Sequence, residues 1–123
     1  MAFIFLIDDN SQFRREICLG LVDAGHHVTE ASNGNEGLKS FQNQNPDTII
    51  TDVVMDNGEG VETMRKIHTL APQAPVIAIS AHAPYLKTMK KLGAVRTFTK
   101  PFRMSVLIEA IGQIVSASHP DSN

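Results

Sequence analysis

Five short apolar or β-branched runs alternate along the chain with longer stretches in which apolar residues recur every three to four positions. The runs are Phe3 to Ile7, His27 to Ala31, Thr48 to Thr51, Val76 to Ile79 and Arg96 to Thr99. Strands interleaved with amphipathic helices predict a parallel sheet covered on both faces. The first, third and fourth runs carry apolar residues on both faces and belong in the middle of the sheet, where both faces are buried. The second alternates apolar with polar positions and belongs at an edge.

The first helix is expected to follow Asn10 or Ser11 as its cap, with Phe13, Ile17, Leu21 and Ala24 along one face and Gly25 as its stop. The second begins near Ser32 or Asn33 with Glu36 in capping-box range, buries Leu38 and Phe41, and ends before Asn45-Pro46. The third runs from about Gly58 to Leu70 through Val61, Met64 and Ile67, and Pro72 and Pro75 forbid its extension. A short fourth helix spans Pro84 to Leu92 and stops at Gly93. The fifth, Phe102 to Ser116, carries Met104, Leu107, Ile108, Ile111, Ile114 and Val115 at helical spacing. The expected fold is therefore α/β, with five parallel strands in the order 2-1-3-4-5 doubly wound by five helices over residues 1–117. Residues 118–123 read as a flexible polar tail.

Composition narrows the picture by exclusion. A chain of 123 residues that is 42% hydrophobic and 20% charged can bury one ordinary core. Eleven basic against thirteen acidic residues give a net charge of -2, the wrong sign for gripping a phosphate backbone, so no direct nucleic-acid binding is expected. No apolar stretch approaches the roughly 20 residues that cross a bilayer, and membrane insertion is not expected. The single cysteine, Cys18, can form no internal disulfide, and a cytoplasmic location is the expectation. Cys18 reads as helix filler and Met64, Met89 and Met104 as core, while His26, His27, His68 and His119 lack metal-ligand spacing and read as surface or edge residues.

Polar residues gather where the strands stop: Asp8 and Asp9 after the first, Asp52 after the third, Ser80 after the fourth and Lys100 after the fifth. In a parallel sheet these ends share one edge, where open α/β proteins bind ligands. Three carboxylates brought together repel by about 4 kcal/mol per pair at ~4 Å and an effective dielectric near 20. Lys100 offsets one charge, and a divalent cation would neutralise the rest. Hard oxygen ligands with no cysteine favour Mg²⁺. These are the parts of phosphoryl transfer to a carboxylate, with Ser80 donating to the bound phosphoryl group. Asp52 stands alone at the centre of the sheet and is the expected nucleophile, while the Asp8–Asp9 pair suits metal.

The pair Asp8-Asp9, Asp52 in Ile-Ile-Thr-Asp-Val-Val-Met, Gly60, Ser80-Ala81 and Lys100-Pro101-Phe102 stand in order at one characteristic spacing. From Phe3 to about Val115 the sequence resembles a response-regulator receiver domain of two-component signalling, the CheY-like form of the flavodoxin-like fold. The resemblance implies that Asp52 is the phosphoacceptor, that Asp9 and Asp52 bind Mg²⁺ (or Mn²⁺) directly, and that Asp8 acts through water. It further implies that the Val54 backbone carbonyl completes the ligands and that the Lys100–Pro101 bond is cis, turning the lysine into the pocket. Departures from the family pattern are Thr97, where an aromatic switch residue is usual, and Asp56, where a proline is common. His82, two residues beyond Ser80, occupies a position that in the family modulates hydrolysis of the aspartyl phosphate.

The implied function is a single-domain response regulator. Its donor would be a histidine kinase or a histidine phosphotransfer protein. Its output would be phosphorylation-dependent binding of a downstream protein, or onward phosphotransfer. With no attached output domain expected, signalling would pass through the fourth helix, fifth strand and fifth helix, with Lys87, Lys90, Lys91 and Arg96 as contacts. Without an aromatic at Thr97, the Ser80 to Pro84 segment, with His82 or Tyr85 repacking, is the expected switch. The rivals are weaker. A haloacid-dehalogenase phosphatase needs Asp-x-Asp where this chain has Asp8-Asp9-Asn10, a flavin carrier would not place two aspartates in its phosphate loop, and a Walker nucleotidase needs a glycine-rich loop that is missing. The remaining alternative is a docking module that keeps the fold and works without phosphorylation.

Overall fold

In the computed structural model the chain alternates strand and helix throughout, and the structure describes residues 1–41, 45–53 and 59–118. The strands are β1 (Phe3–Ile7), β2 (His27–Ala31), β3 (Thr48–Asp52), β4 (Val76–Ser80) and β5 (Arg96–Thr99). Between and after them lie α1 (Ser11–Asp23), α2 (Gly34–Phe41), α3 (Glu59–Leu70), α4 (Ala83–Lys91) and α5 (Met104–Ser118). All pairings are parallel, in the order β2-β1-β3-β4-β5. The central position of β1, β3 and β4 follows from their composition, since nearly every residue of each is buried. β3 and β4 each run one residue past the expected end and so carry Asp52 and Ser80 on the sheet itself.

Alternation along the strands sorts the core into two layers. Phe5, Ile7, Ile49, Val76 and Ala78 face Met64, Ile67, Leu86 and Met89 on the α3 and α4 side. Ile4, Leu6, Ile50, Ile77 and Ile79 face Ile17, Leu21, Leu107, Ile111 and Ile114 on the α1 and α5 side. On β5, Thr97 lies beside Ala78 and Phe98 beside Ile79, so the threonine falls in register with the first layer and Phe98 packs in the second.

Local signals set most boundaries. The Asn10 side chain accepts the Phe13 N–H and starts α1. Asn33 does the same for Glu36, whose carboxylate reaches back to Ser32. Gly25 and Gly93 adopt positive φ beyond the ends of α1 and α4, as their places at helix stops require. The side chains of Leu38 and Phe41, the start of α3 before Glu59, and His119 lie outside what the structure describes.

Three expectations need correction. Ala24 is exposed, because it caps α1 past the last turn that faces the sheet. The fifth helix begins at Met104, not Phe102, because the Arg103 carbonyl accepts the first helical N–H groups while Phe102 packs among aromatic rings. The same helix runs to Ser118, so the first residue assigned to the tail is helical and 119–123 lie outside the described residues. His26, just before the edge strand β2 as expected, is half-buried, its Nδ1 accepting the Ala2 N–H, and burial followed by the nearby chain terminus lowers its pKa.

The two layers predict a contrast within α5. Leu107→Ala, at a fully buried site, should cost about 2–5 kcal/mol of unfolding free energy. Val106→Ala, at a side chain 47% exposed, should change it by no more than about 0.5 kcal/mol, both read from urea midpoints.

Candidate functional site

The strand order brings the polar strand ends to one edge of the sheet. Asp8 follows β1, and its N–H donates to the Ala31 carbonyl, so its backbone continues the ladder with β2. Its Oδ1 accepts the Asn10 N–H at 2.9 Å, and Asn10 in turn caps α1. The Asp8 carbonyl accepts from Arg14 Nη1 at 2.7 Å, and Glu30 on β2 pairs with both Arg14 (3.2 Å) and Arg15 (2.8 Å). The acidic turn is therefore fastened to β2 and α1.

Asp52 ends β3 next to β1, and Lys100 follows β5, its N–H donating to the Ser80 carbonyl. The Lys100 ammonium lies 3.2 Å from Asp52 Oδ1 and 4.0 Å from Asp8 Oδ2. It also sits 3.9 Å above the centroid of the Phe13 ring. Ser80 is buried, and its Oγ accepts the His82 N–H at 3.1 Å. The Lys100–Pro101 bond is cis, as the family resemblance implies.

One oxygen from each of Asp8, Asp9 and Asp52 lies within 4.8 Å of the others. A convergent, all-oxygen, strongly anionic donor set fits a hard divalent cation of the Mg²⁺ type. The electrostatic consequence is visible at Asp8, which is only 2% exposed. Burial, helped by the Asp52 and Asp9 charges and opposed by the Asn10 N–H and Lys100, pushes its carboxyl up to about 6.

Two clefts meet at Asp52. The larger, about 430 Å³, is lined by Asp8, Asp9 and Asp52 on one side and by Asn33, Asn35, Thr63 and Lys66 on the other. The smaller, about 210 Å³, is lined by Asp52, Ser80, Ala81, His82, Tyr85 and Lys100. The His82 and Tyr85 rings lie 5.3 Å apart on its wall.

The structure thus brings together Asp8, Asp9, Asp52, Ser80, Ala81, His82, Tyr85 and Lys100. Thr97, half-buried on β5, lines neither cleft among the described residues. Val54 and Asp56 lie outside the described residues. Cys18 is buried against Glu30, and burial followed by that carboxylate pushes its thiol up, which makes it packing and not a nucleophile. Sequence reasoning missed three contributors: the Asn10 N–H on Asp8, the Arg14 brace and the Phe13 ring under Lys100. Only their positions two, six and five residues after Asp8, at the start of a helix leaving the site, could have pointed to them.

The family model of the response regulator receiver domain matches residues 4–112. The transcriptional regulatory protein GlrR of Escherichia coli is 30% identical over 121 residues, covering 97% of this chain and 27% of that protein. The chemotaxis protein CheY of Thermotoga maritima is 27% identical over 114 residues, covering 90% of this chain and 95% of that one. The crystal structure of the Thermotoga maritima response regulator TrrA in complex with Mg²⁺–BeF has a TM-score of 0.81 and 27% identity, covering 93% of this chain and 99% of that one. The chain spans 27% to 55% of the length of the transcriptional regulators to which it is 30–31% identical. Among the described residues, no helix is long and apolar enough to cross a membrane.

The raised Asp8 value carries a stability prediction. A carboxyl at 3.8 when unfolded and about 6 when folded binds its proton more tightly in the fold. Its cost is absent below pH ~4, grows as pH rises toward 6 and is complete above that. At about 1.4 kcal/mol per pH unit, the penalty at pH 7 without divalent cation is up to about 3 kcal/mol. Asp8→Asn should remove it while keeping the acceptor for Asn10. Urea unfolding in chelator should show the variant more stable at pH 7 and no more stable than the parent at pH 3.5; equal stabilities at pH 7 would contradict this.

Proposed function

This chain belongs to the response regulator receiver domain family, and from that premise we propose that Asp52 accepts a phosphoryl group from a phosphohistidine and thereby switches the protein between binding states. The observation that carries the reading is the Lys100 ammonium 3.2 Å from Asp52, with the Asp8, Asp9 and Asp52 oxygens converging beside it. Phosphorylation and Mg²⁺ dependence are general features of the family, and receivers of this kind act with histidine kinases and downstream targets. The donor here would be a histidine kinase or a histidine phosphotransfer protein, and the cellular site cytoplasmic.

In the proposed transfer a carboxylate oxygen of Asp52 forms the new P–O bond as the donor P–N bond breaks, the electron pair leaving with the imidazole. Lys100 then faces the charge that has moved onto the phosphoryl oxygens. Ser80, which uses its oxygen to accept the His82 N–H, keeps its own proton to donate to that group. Asp9 and Asp52, with Asp8 through water and the Val54 carbonyl, would hold Mg²⁺ (or Mn²⁺). The bound cation would supply counter-charge to the transferring oxygens. His82 sits on the cleft wall, where it can shape the approach of a hydrolytic water.

For the output, recruitment of Ser80 to the phosphoryl group pulls on the segment leading into α4. His82 caps that helix with no side-chain hydrogen bond, and its ring contacts the half-buried Tyr85. We assign the switch to Ser80–Pro84 and α4, with Ala81 giving room and His82 or Tyr85 repacking, because Thr97 is too small to follow. The surface altered is that of α4, β5 and α5, where Lys87, Lys90, Lys91 and Arg96 are exposed. The small side chain of Thr97 favours one second reading, a docking module indifferent to phosphorylation, and labelling separates the two.

Acetyl phosphate with Mg²⁺ should label the wild type with acid-labile phosphate, and excess chelator should abolish it. Asp52→Asn should keep its circular dichroism and lose the label; uptake at the wild-type rate would overturn the nucleophile assignment. Adding a beryllofluoride mimic in Mg²⁺ should shift backbone amides across residues 81–92. Shifts confined to the loops around Asp9 and Asp52 would refute the α4 route and favour a carrier that passes phosphate on.

A further inference from the structure

Lys100 is held from two sides. Its ammonium faces the Asp52 and Asp8 carboxylates at 3.2 and 4.0 Å, and on another side it lies 3.9 Å above the Phe13 ring centroid. The same ring meets Phe102 edge-on, centroids 6.2 Å apart at 89°, and Phe102 touches Phe98 at 5.6 Å. Lys100 and Phe102 therefore straddle Pro101 and both rest on one side chain of α1. An aliphatic residue would fill this position of the core stripe equally well, but only an aromatic face attracts a cation. With Phe13 half-buried and the Lys100 side chain 21% exposed, that attraction is only partly screened by water. The four-carbon stem of a lysine has many rotamers, and several carboxylate oxygens compete for its head group. A second, non-acidic contact selects among them.

We propose that Phe13 is a positioning residue for Lys100: its ring face holds the ammonium against Asp52, so that the cation is in place before the phosphoryl group arrives. The inference rests on the reading of Asp52 as phosphoacceptor. It assigns a role in the chemistry to a residue that otherwise belongs to the α1 core stripe. It also explains why Phe102 turns toward α1 and does not begin α5. Preorganised charge of this kind contributes to rate because no reorganisation is left for the transition state.

Phe13→Leu keeps apolar bulk and removes the ring face, whereas Phe13→Tyr keeps both. Labelling by acetyl phosphate should slow about tenfold in the leucine variant, within the range of about three- to thirtyfold that a partly desolvated cation–π contact supports. The tyrosine variant should stay within about twofold of wild type. Affinity for Mg²⁺ alone should change less than about twofold in either, since no metal ligand is altered. In a Lys100→Met background, Phe13→Leu should have no further effect on labelling. A leucine variant as fast as a labelled wild type, or a tyrosine variant as slow as leucine, would overturn the positioning role and leave the phosphoacceptor reading intact. A wild type that takes no label would instead overturn the phosphoacceptor reading. The urea double-mutant cycle on Phe13 and Lys100 then decides the contact by itself: a coupling of about threefold or more in the unfolding equilibrium supports it, and additivity refutes it.

Discussion

Three carboxylates crowded at one sheet edge beside the Lys100 ammonium set the terms for the rest of the molecule. The crowding is a product of strand order. β1 and β3 are neighbours at the centre, so Asp8 and Asp9 cannot be kept away from Asp52, and β4 and β5 deliver Ser80 and Lys100 beside them. A fold selected for stability alone would not leave Asp8 almost wholly buried among like charges. The surrounding bonds make sense as restraints on that arrangement. The Asn10 N–H and the Arg14–Glu30 brace hold the acidic turn in place against repulsion that would otherwise open it. With the carboxylate oxygens already convergent, a cation of the proposed kind would not have to gather them on binding.

Asp52 is the boundary between two spaces of different character. The larger cleft carries the acidic pair and is polar across its width, whereas the smaller has Ser80, Lys100 and the His82 and Tyr85 rings. One carboxylate can present an oxygen to each. Under the proposed function Asp52 would belong both to the metal's space and to that of the transferred group, and a change in charge on it would be felt in both.

Most of this was legible in the sequence, for a physical reason that also marks where legibility stops. β1, β3 and β4 are apolar on both faces, which specifies central strands and hence their neighbours. The polar residues at their ends then had only one edge to occupy, so Asp8, Asp9, Asp52, Ser80 and Lys100 could be grouped without coordinates. Side-chain direction could not be read in the same way. Phe13 counted as part of an apolar stripe because periodicity records burial and not which neighbour a ring faces. Helical periodicity sets Arg14 off the apolar stripe of α1 and says nothing of its partner, yet its guanidinium folds back onto the Asp8 carbonyl. The expected fifth helix starts at Phe102, whose ring instead packs ahead of the helix with Phe13 and Phe98. Ala24 failed differently: a helical stripe was extended one step past the turn that ends the helix.

The two faces of the sheet differ in how much they can yield. On the α1 and α5 side, Phe98, Phe102 and Phe13 form a connected set of rings beneath Lys100, and Ile17, Leu21, Leu107 and Ile111 are buried behind them. Such a layer resists displacement, since moving one large side chain leaves a void that its neighbours cannot fill. On the α3 and α4 side the β4 and β5 positions are Ala78 and Thr97, with Ala94 nearby, and the covering residue Tyr85 is only partly buried. Small side chains under a partly exposed ring leave rearrangement inexpensive. This contrast supports the proposed assignment of the switch to the α4 end of the site, which would need two packings within the few kcal/mol that a phosphoryl group can redistribute. The aromatic side serves as the fixed wall against which Lys100 is held. The absence of a large residue at Thr97 does not by that reasoning disable the proposed switch; it would move the adjustable element from β5 to the residues that lead into α4.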